Sequence, residues 1–123
     1  LLAQNIVPVC CAITHDKNGQ LLNTNADTIA SEIAIAMSSH FEVMLSYCFE
    51  KKGVLKDEEE ENSVIPILTS VAYKTLKKEK TIHSGMLPKI HNCFEALKKG
   101  VAHVRIGNPK MITEKVIHTQ IQL

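Results

Sequence analysis

The chain has 123 residues, a formal net charge of +1 and 45% hydrophobic residues. That balance suits one globular unit and gives no electrostatic case for nucleic acid or an anionic membrane surface as partner. No apolar run approaches the roughly 20 residues that a membrane-spanning helix needs, and with aromatic residues at 4% the core has to be aliphatic.

Taken in order, Leu1-Leu2-Ala3-Gln4-Asn5 reads as the last turn of a helix with Asn5 as its C-cap. With no initiating Met and no signal-peptide pattern, the expectation is a fragment of a longer protein. Residues 6–13 are nearly all apolar and rich in β-branched side chains, which predicts a buried strand. Asp16-Lys17-Asn18-Gly19 is a turn signal in which Gly19 can take positive φ, and residues 20–22 return as a short strand. The spacing of Ile29, Ile33, Ala36 and Met37 predicts a helix over 28–39, followed by an apolar strand over 41–49. Asp57-Glu58-Glu59-Glu60-Glu61 repel one another and predict a solvated hairpin tip between Val54-Leu55 and Val64-Ile65.

Leu68, Val71, Ala72, Thr75 and Leu76 mark a helix over about 69–79, with Lys77, Lys78 and Lys80 favourably placed at its negative end. A further helix opens near Pro88, buries Ile90, Cys93, Phe94 and Leu97, and stops at Gly100. Residues 101–106 form a strand, 111–116 a short helix, and Ile121 belongs to an edge strand. Strands alternating with helices predict an α/β fold: a three-layer α-β-α sandwich, mainly a parallel open sheet with helices on both faces. Cys10, Cys11, Cys48 and Cys93 show no C-x-x-C spacing and read mostly as small buried hydrophobes, reduced in a cytoplasmic protein. The scattered histidines form no metal-ligand pair, so no metal held by side chains alone is expected.

Two stretches carry more polarity than their elements require. Asn23-Thr24-Asn25-Ala26-Asp27 joins a strand to a helix, where one Asn or Asp would serve as cap. Three such residues in so short a stretch, at the carboxyl end of a strand, stand where open α/β sheets bind ligands. In His83-Ser84-Gly85-Met86-Leu87-Pro88-Lys89, Lys89 falls near a helix N-terminus, where the dipole disfavours a cation by up to ~1 kcal/mol. Beside free backbone N–H groups such a lysine can cradle a phosphate. The alternative is an exposed lysine whose stem lies over the surface.

Together, Asn23-x-Asn25-Ala26-Asp27 and, about sixty residues on, Gly85-Met86-x-Pro88-Lys89 resemble the carboxyl-terminal half of acetylglutamate kinase, of the amino-acid-kinase fold. The resemblance runs from Pro8-Val9 through Gly19-Gln20-Leu21 to Ala96 and Gly100-Val101, and His118-Thr119-Gln120-Ile121 looks like the family's closing Gly-Thr-x-Ile. It implies that residues 1–123 are the nucleotide-binding lobe, with the amino-terminal lobe as a further part of the same protein. It also implies ATP-dependent phosphorylation of the side-chain carboxylate of an N-acyl-L-glutamate, acetyl or succinyl, in arginine biosynthesis. Asp27 would then organise the catalytic lysines, Lys89 would stabilise the transferring phosphoryl group, and Asn23 and Asn25 would bind the acylglutamate. Gly85 and Met86 would form the nucleotide-binding turn, and Mg²⁺ would be held mainly by the nucleotide phosphates. The full-length enzyme would be a cytoplasmic homo-oligomer.

Two departures bear on this. The family's Thr/Ser-Asp-x-x-Gly stretch is replaced by Tyr47-Cys48-Phe49-Glu50-Lys51-Lys52-Gly53, where Glu50 would stand in for the Asp on the adenine side. The family's amino-terminal glycine-rich elements and second catalytic lysine are absent from this sequence, so the fragment alone is expected to be inactive. The alternatives are a regulatory module of the same fold that binds a nucleotide or amino acid without chemistry, and another amino-acid or carbamate kinase.

Overall fold

The computed structural model describes residues 1–82 and 85–123; His83 and Ser84, which open the second motif, lie outside the described residues. Ile13–His15 (β1) and Leu21–Asn23 (β2) pair antiparallel across the predicted turn, in which Asp16 Oδ1 accepts from the Asn18 and Gln20 N–H groups and Gly19 sits at φ 94°. The main sheet is built from Met44–Cys48 (β3), Ile67–Thr69 (β4), His103–Gly107 (β5) and Thr119–Gln122 (β6), in the order β3-β5-β6-β4. β3–β5 and β4–β6 are parallel and β5–β6 antiparallel, so the sheet is mixed and mostly parallel. The α/β class follows the alternation of strands and helices in the sequence.

The register explains which residues are inside. Leu45 lies opposite Val104, Tyr47 opposite Ile106, Ile106 opposite Thr119, and Ile121 opposite both Val104 and Leu68. Partners across a ladder share a face, so all of these line one side of the sheet. The helices Ala26–Ser38 (α1) and Met86–Lys98 (α3) pack on the sheet and on each other. Ile90, Cys93 and Ala96 of α3 are fully buried there. Each large aliphatic side chain in this layer contributes roughly 1.5–3 kcal/mol. The third helix, Ser70–Lys78 (α2), is capped by Thr69 and leans on the core through Ala72, Tyr73 and Leu76, leaving Val71 exposed. Gly100 stops α3 at φ 101°, a conformation that costs glycine no steric strain.

Several expectations are corrected. Residues 6–12 form no strand, and Val7 and Val9 are 81% and 93% exposed. A strand exists only by pairing, and of this apolar run only Ile13 joins a ladder among the described residues, opposite Asn23, with Ala12 adding one bond from the Thr24 N–H. Cys10, Cys11 and Cys48 are exposed; Cys93 alone is buried, because it stands on the inward face of α3. Ile121 is not on an edge: β6 runs between β5 and β4, with Thr119 and Ile121 buried. The short helix over 111–116 is a single 3₁₀ turn, Pro109–Ile112, capped by Asn108.

The acidic run is exposed throughout, as its mutual repulsion requires. The hairpin beneath it is reduced to one bridge, Leu55 to Val64, with Ser63 closing the tip by hydrogen bonds to Asp57 and Glu60. Its base is held by Thr119, whose Oγ1 donates to the Ile65 carbonyl (2.7 Å) and accepts from the Val54 N–H (2.8 Å). Gly53 allows that approach, since a Cβ there would stand 2.6 Å from Thr119 Oγ1 and 2.8 Å from Val64 Cγ1. Gly53→Ala is therefore expected to destabilise the protein by about 2–3 kcal/mol, seen as a lower urea midpoint; an unchanged midpoint would show that this corner yields freely.

Candidate active site

The Asn/Asp stretch divides its labour. Asn25 is the N-cap of α1, its Oδ1 accepting from Thr28 N at 3.1 Å. Thr24 Oγ1 meets Thr14 Oγ1 at 2.6 Å and ties the stretch to β1. Asn23 ends β2, exposed, and its side-chain amide has no hydrogen-bond partner among the described residues. Asp27 does something no local rule predicts: both its carboxylate oxygens accept from Lys89 Nζ, each at 2.7 Å.

The pair forms where two helices begin. Asp27 lies in the first turn of α1, where the macrodipole favours a carboxylate. Lys89 lies in the first turn of α3, where the dipole opposes a cation, and Asp27 offsets that cost. Pro88 is tolerated in the same turn because its missing N–H has no intrahelical partner to lose. Gly85 is the residue before α3, with φ at −66°, so a positive φ is not the reason for a glycine here. Among the described residues, two helix N-termini and the Lys89 ammonium thus face the Asp27 carboxylate, a balance that favours a further anion. The Lys89 and Asp27 side chains keep 18% and 30% of their exposure, so the pair remains reachable.

β3 supplies the floor. Tyr47, near its carboxyl end, is buried, and its hydroxyl donates to the Asp27 carbonyl at 3.0 Å. Ser31 Oγ lies 2.5 Å from the same hydroxyl, and Lys89 Nζ stands 5.0 Å from the centre of the tyrosine ring. Burial pushes the Tyr47 phenol up to about 12, outweighing the hydrogen bond from Ser31, so the group stays protonated at neutral pH. Burial also raises the Cys93 thiol, one helical turn beyond Lys89, which leaves it an inert neighbour of the pair. Neither Tyr47 nor Ser31 was expected from the sequence. The available signal was a tyrosine inside an apolar strand, since a buried hydroxyl must find a partner.

The other expected residues are spread more widely. Met86 lines a shallow groove with Phe49, Lys51, Gly53, Val54, Leu55, Glu58 and Ile82. At about 40 Å³ the groove holds water rather than a nucleobase in this conformation. Glu50 is exposed and is not part of that lining. A larger hollow of about 420 Å³ lies elsewhere, against Lys52, Asn108, Lys110, Val116 and Ile117. Its walls include Lys52 and Lys110 but neither Asp27 nor Lys89, and two lysines with no carboxylate among the lining residues do not mark the site of a reaction. Among the described residues no group of three His, Cys, Asp or Glu side chains gathers to hold a metal ion. Among them also, no helix is long and apolar enough to cross a membrane.

The sequence pattern of the Amino acid kinase family matches residues 1–108. The acetylglutamate kinase of Parabacteroides distasonis is 52% identical over 106 residues, which are 86% of this chain and 42% of that protein. That of Phocaeicola vulgatus is 50% identical over 114 residues, 93% of this chain and 44% of that protein. The chain therefore spans less than half the length of these curated relatives. Among solved structures, smu.665 from Streptococcus mutans UA159 superposes with a TM-score of 0.79 at 27% identity, over 98% of this chain and 44% of that one. The N-acetylglutamate synthase of Neisseria gonorrhoeae, complexed with coenzyme A and N-acetyl-glutamate, superposes at 0.72 with 20% identity, over 91% of this chain and 26% of that one, a likeness of fold. A pattern matched across residues 1–108, carried on this α/β fold, places the chain in the amino acid kinase family.

Proposed function

We propose that this chain is the nucleotide-binding, carboxyl-terminal lobe of an acetylglutamate kinase acting in the cytoplasm in arginine biosynthesis. The observation that carries the reading is the Asp27–Lys89 pair where the two helix N-termini meet. It lies in a chain half identical to acetylglutamate kinases over most of its length. In the reaction, a side-chain carboxylate oxygen of an N-acyl-L-glutamate attacks the γ-phosphorus of ATP. The bond from that phosphorus to the β,γ-bridging oxygen breaks, ADP leaves, and an acyl phosphate remains.

Phosphoryl transfer asks the protein mainly for positioning and charge neutralisation. Lys89 neutralises charge on the transferring group, and its place at the start of α3 lets backbone N–H groups share that task. Asp27 fixes the ammonium rather than removing a proton, because both its oxygens are engaged by Lys89. Asn23, whose amide has no partner among the described residues, can donate to an acceptor carboxylate. Asn25 spends its oxygen on the helix cap and keeps its NH₂ for substrate. Met86 and the groove beside it form the nucleotide side, opening further when a base enters. Mg²⁺ would be held mainly by the nucleotide phosphates and would help to neutralise their charge, which suits a site where the Asp27 carboxylate is already paired with Lys89. The amino-terminal lobe supplies the rest of the machinery, and the exposed apolar residues between Ile6 and Ile13 give it a surface to cover.

The test is ADP release by the full-length protein with N-acetylglutamate and with N-succinylglutamate as acceptors. Asn23→Ala is expected to raise KM for the accepted acylglutamate about tenfold or more, the effect of losing one hydrogen bond to a charged group, with little change in KM for ATP. ATP binding without acceptor-stimulated ADP release would instead favour a regulatory nucleotide-binding module.

A further inference from the structure

We propose that Tyr47 is the positioning residue of the site, holding Asp27 through its hydroxyl and Lys89 through its ring; this rests on the phosphoryl-transfer reading above. Its hydroxyl donates to the Asp27 backbone carbonyl at 3.0 Å, which fixes the first turn of α1 against β3. Having given its one proton there, it accepts from Ser31 Oγ, one helical turn further along α1. Two points of α1 are thereby tied to one buried atom of the sheet. The ring meanwhile lies under Lys89, with Nζ 5.0 Å from its centre, within reach of a cation–π attraction.

A lysine side chain has several rotors, and Asp27 alone would restrain only the far end of one. With the ring beneath it and the carboxylate beside it, the ammonium is held from two directions. This leaves its remaining directions for the incoming phosphate. Small misplacements of a group in the reacting constellation cost large factors in rate, up to about a hundredfold for roughly 1 Å. Tyr47 thus acts on kcat through Asp27 and Lys89 without touching substrate.

The experiment uses the full-length protein in two variants. Tyr47→Phe keeps the ring and deletes the hydroxyl; Tyr47→Leu deletes both. Per mole of folded protein, kcat is expected to fall about tenfold in Tyr47→Phe and about a hundredfold in Tyr47→Leu, with KM for ATP and acceptor nearly unchanged. A second readout is independent of turnover: the ¹³Cε-labelled Lys89 resonance, assigned by its loss in Lys89→Arg, is displaced by the tyrosine ring current. That displacement is expected to survive in Tyr47→Phe and to vanish in Tyr47→Leu. Wild-type kcat in both folded variants, or a Lys89 resonance unmoved in Tyr47→Leu, would overturn the assignment. If wild-type protein turns over no acylglutamate while the resonance behaves as expected, the function reading falls and the placement of Lys89 by Tyr47 stands.

Discussion

Asp27→Ala in the full-length protein is expected to lower kcat by about 10²–10³ while leaving nucleotide affinity within a small factor. Both carboxylate oxygens are taken up by Lys89, so their loss frees the ammonium to move without removing it from the site. Ground-state attraction between a lysine and phosphates survives such motion; stabilisation of the transferring phosphoryl group, which needs the charge in one place, does not. Asp27→Asn separates charge from shape and is expected to lose nearly as much, since an amide restrains an ammonium weakly. Breaking a partly exposed pair also costs stability, on the order of 1–2 kcal/mol, so both variants need thermal unfolding curves beside the kinetics. A variant that folds, binds ATP and keeps wild-type kcat would remove Asp27 from the mechanism.

Thr119→Val is expected to cause the largest loss of stability, about 2–4 kcal/mol. Valine matches the shape of threonine, so packing is kept and only the hydroxyl is lost. That hydroxyl is the partner of both the Val54 N–H and the Ile65 carbonyl, and Thr119 and Val54 are themselves buried. The buried Val54 N–H is then left without a partner and the partly buried Ile65 carbonyl loses its bond, at the cost of desolvation with no bond in return. Thr119→Ser, which keeps the hydroxyl and loses one methyl, is expected to cost only about 1 kcal/mol. Denaturant midpoints for the pair measure the difference, and equal midpoints would mean that water or a shifted backbone replaces the hydroxyl. Because Val54 and Leu55 line the groove beside Met86, Thr119→Val is expected to loosen that groove as well.

The contrast between these residues shows what was legible. Gly100 as a helix stop and Gly19 in its turn are choices made within a few residues, and the sequence states them directly; that one residue of the Asn/Asp stretch caps α1 was legible too, while the structure decides that it is Asn25. The inward face of α3 was equally plain, since Ile90, Cys93 and Phe94 recur at the helical period. The exposure of the acidic run followed from the charges themselves. Asp27 and Lys89 stand out by their polarity at helix starts, and resemblance to a family gives them a joint role that no local pattern supplies.

What escaped was whatever depends on a neighbour distant in the chain. The apolar run at residues 6–12 carries the composition of a buried strand, yet composition does not provide the strand beside it. Ile121 is expected on an edge strand from the sequence, while the sheet order puts β6 between two other strands. In the sequence Tyr47 marks only the start of the stretch that departs from the family pattern, and its contacts with Asp27, Ser31 and Lys89 come from α1 and α3 packing against β3. By itself the sequence determined the helices α1, α2 and α3, the inward face of α3, the turn at Gly19 and the two motifs, because each is encoded by spacing within a few turns of backbone. Only the tertiary structure decided that Lys89 meets Asp27 over the ring of Tyr47 and that Thr119 holds Val54 and Ile65, because those contacts join groups that packing alone brings within hydrogen-bond reach.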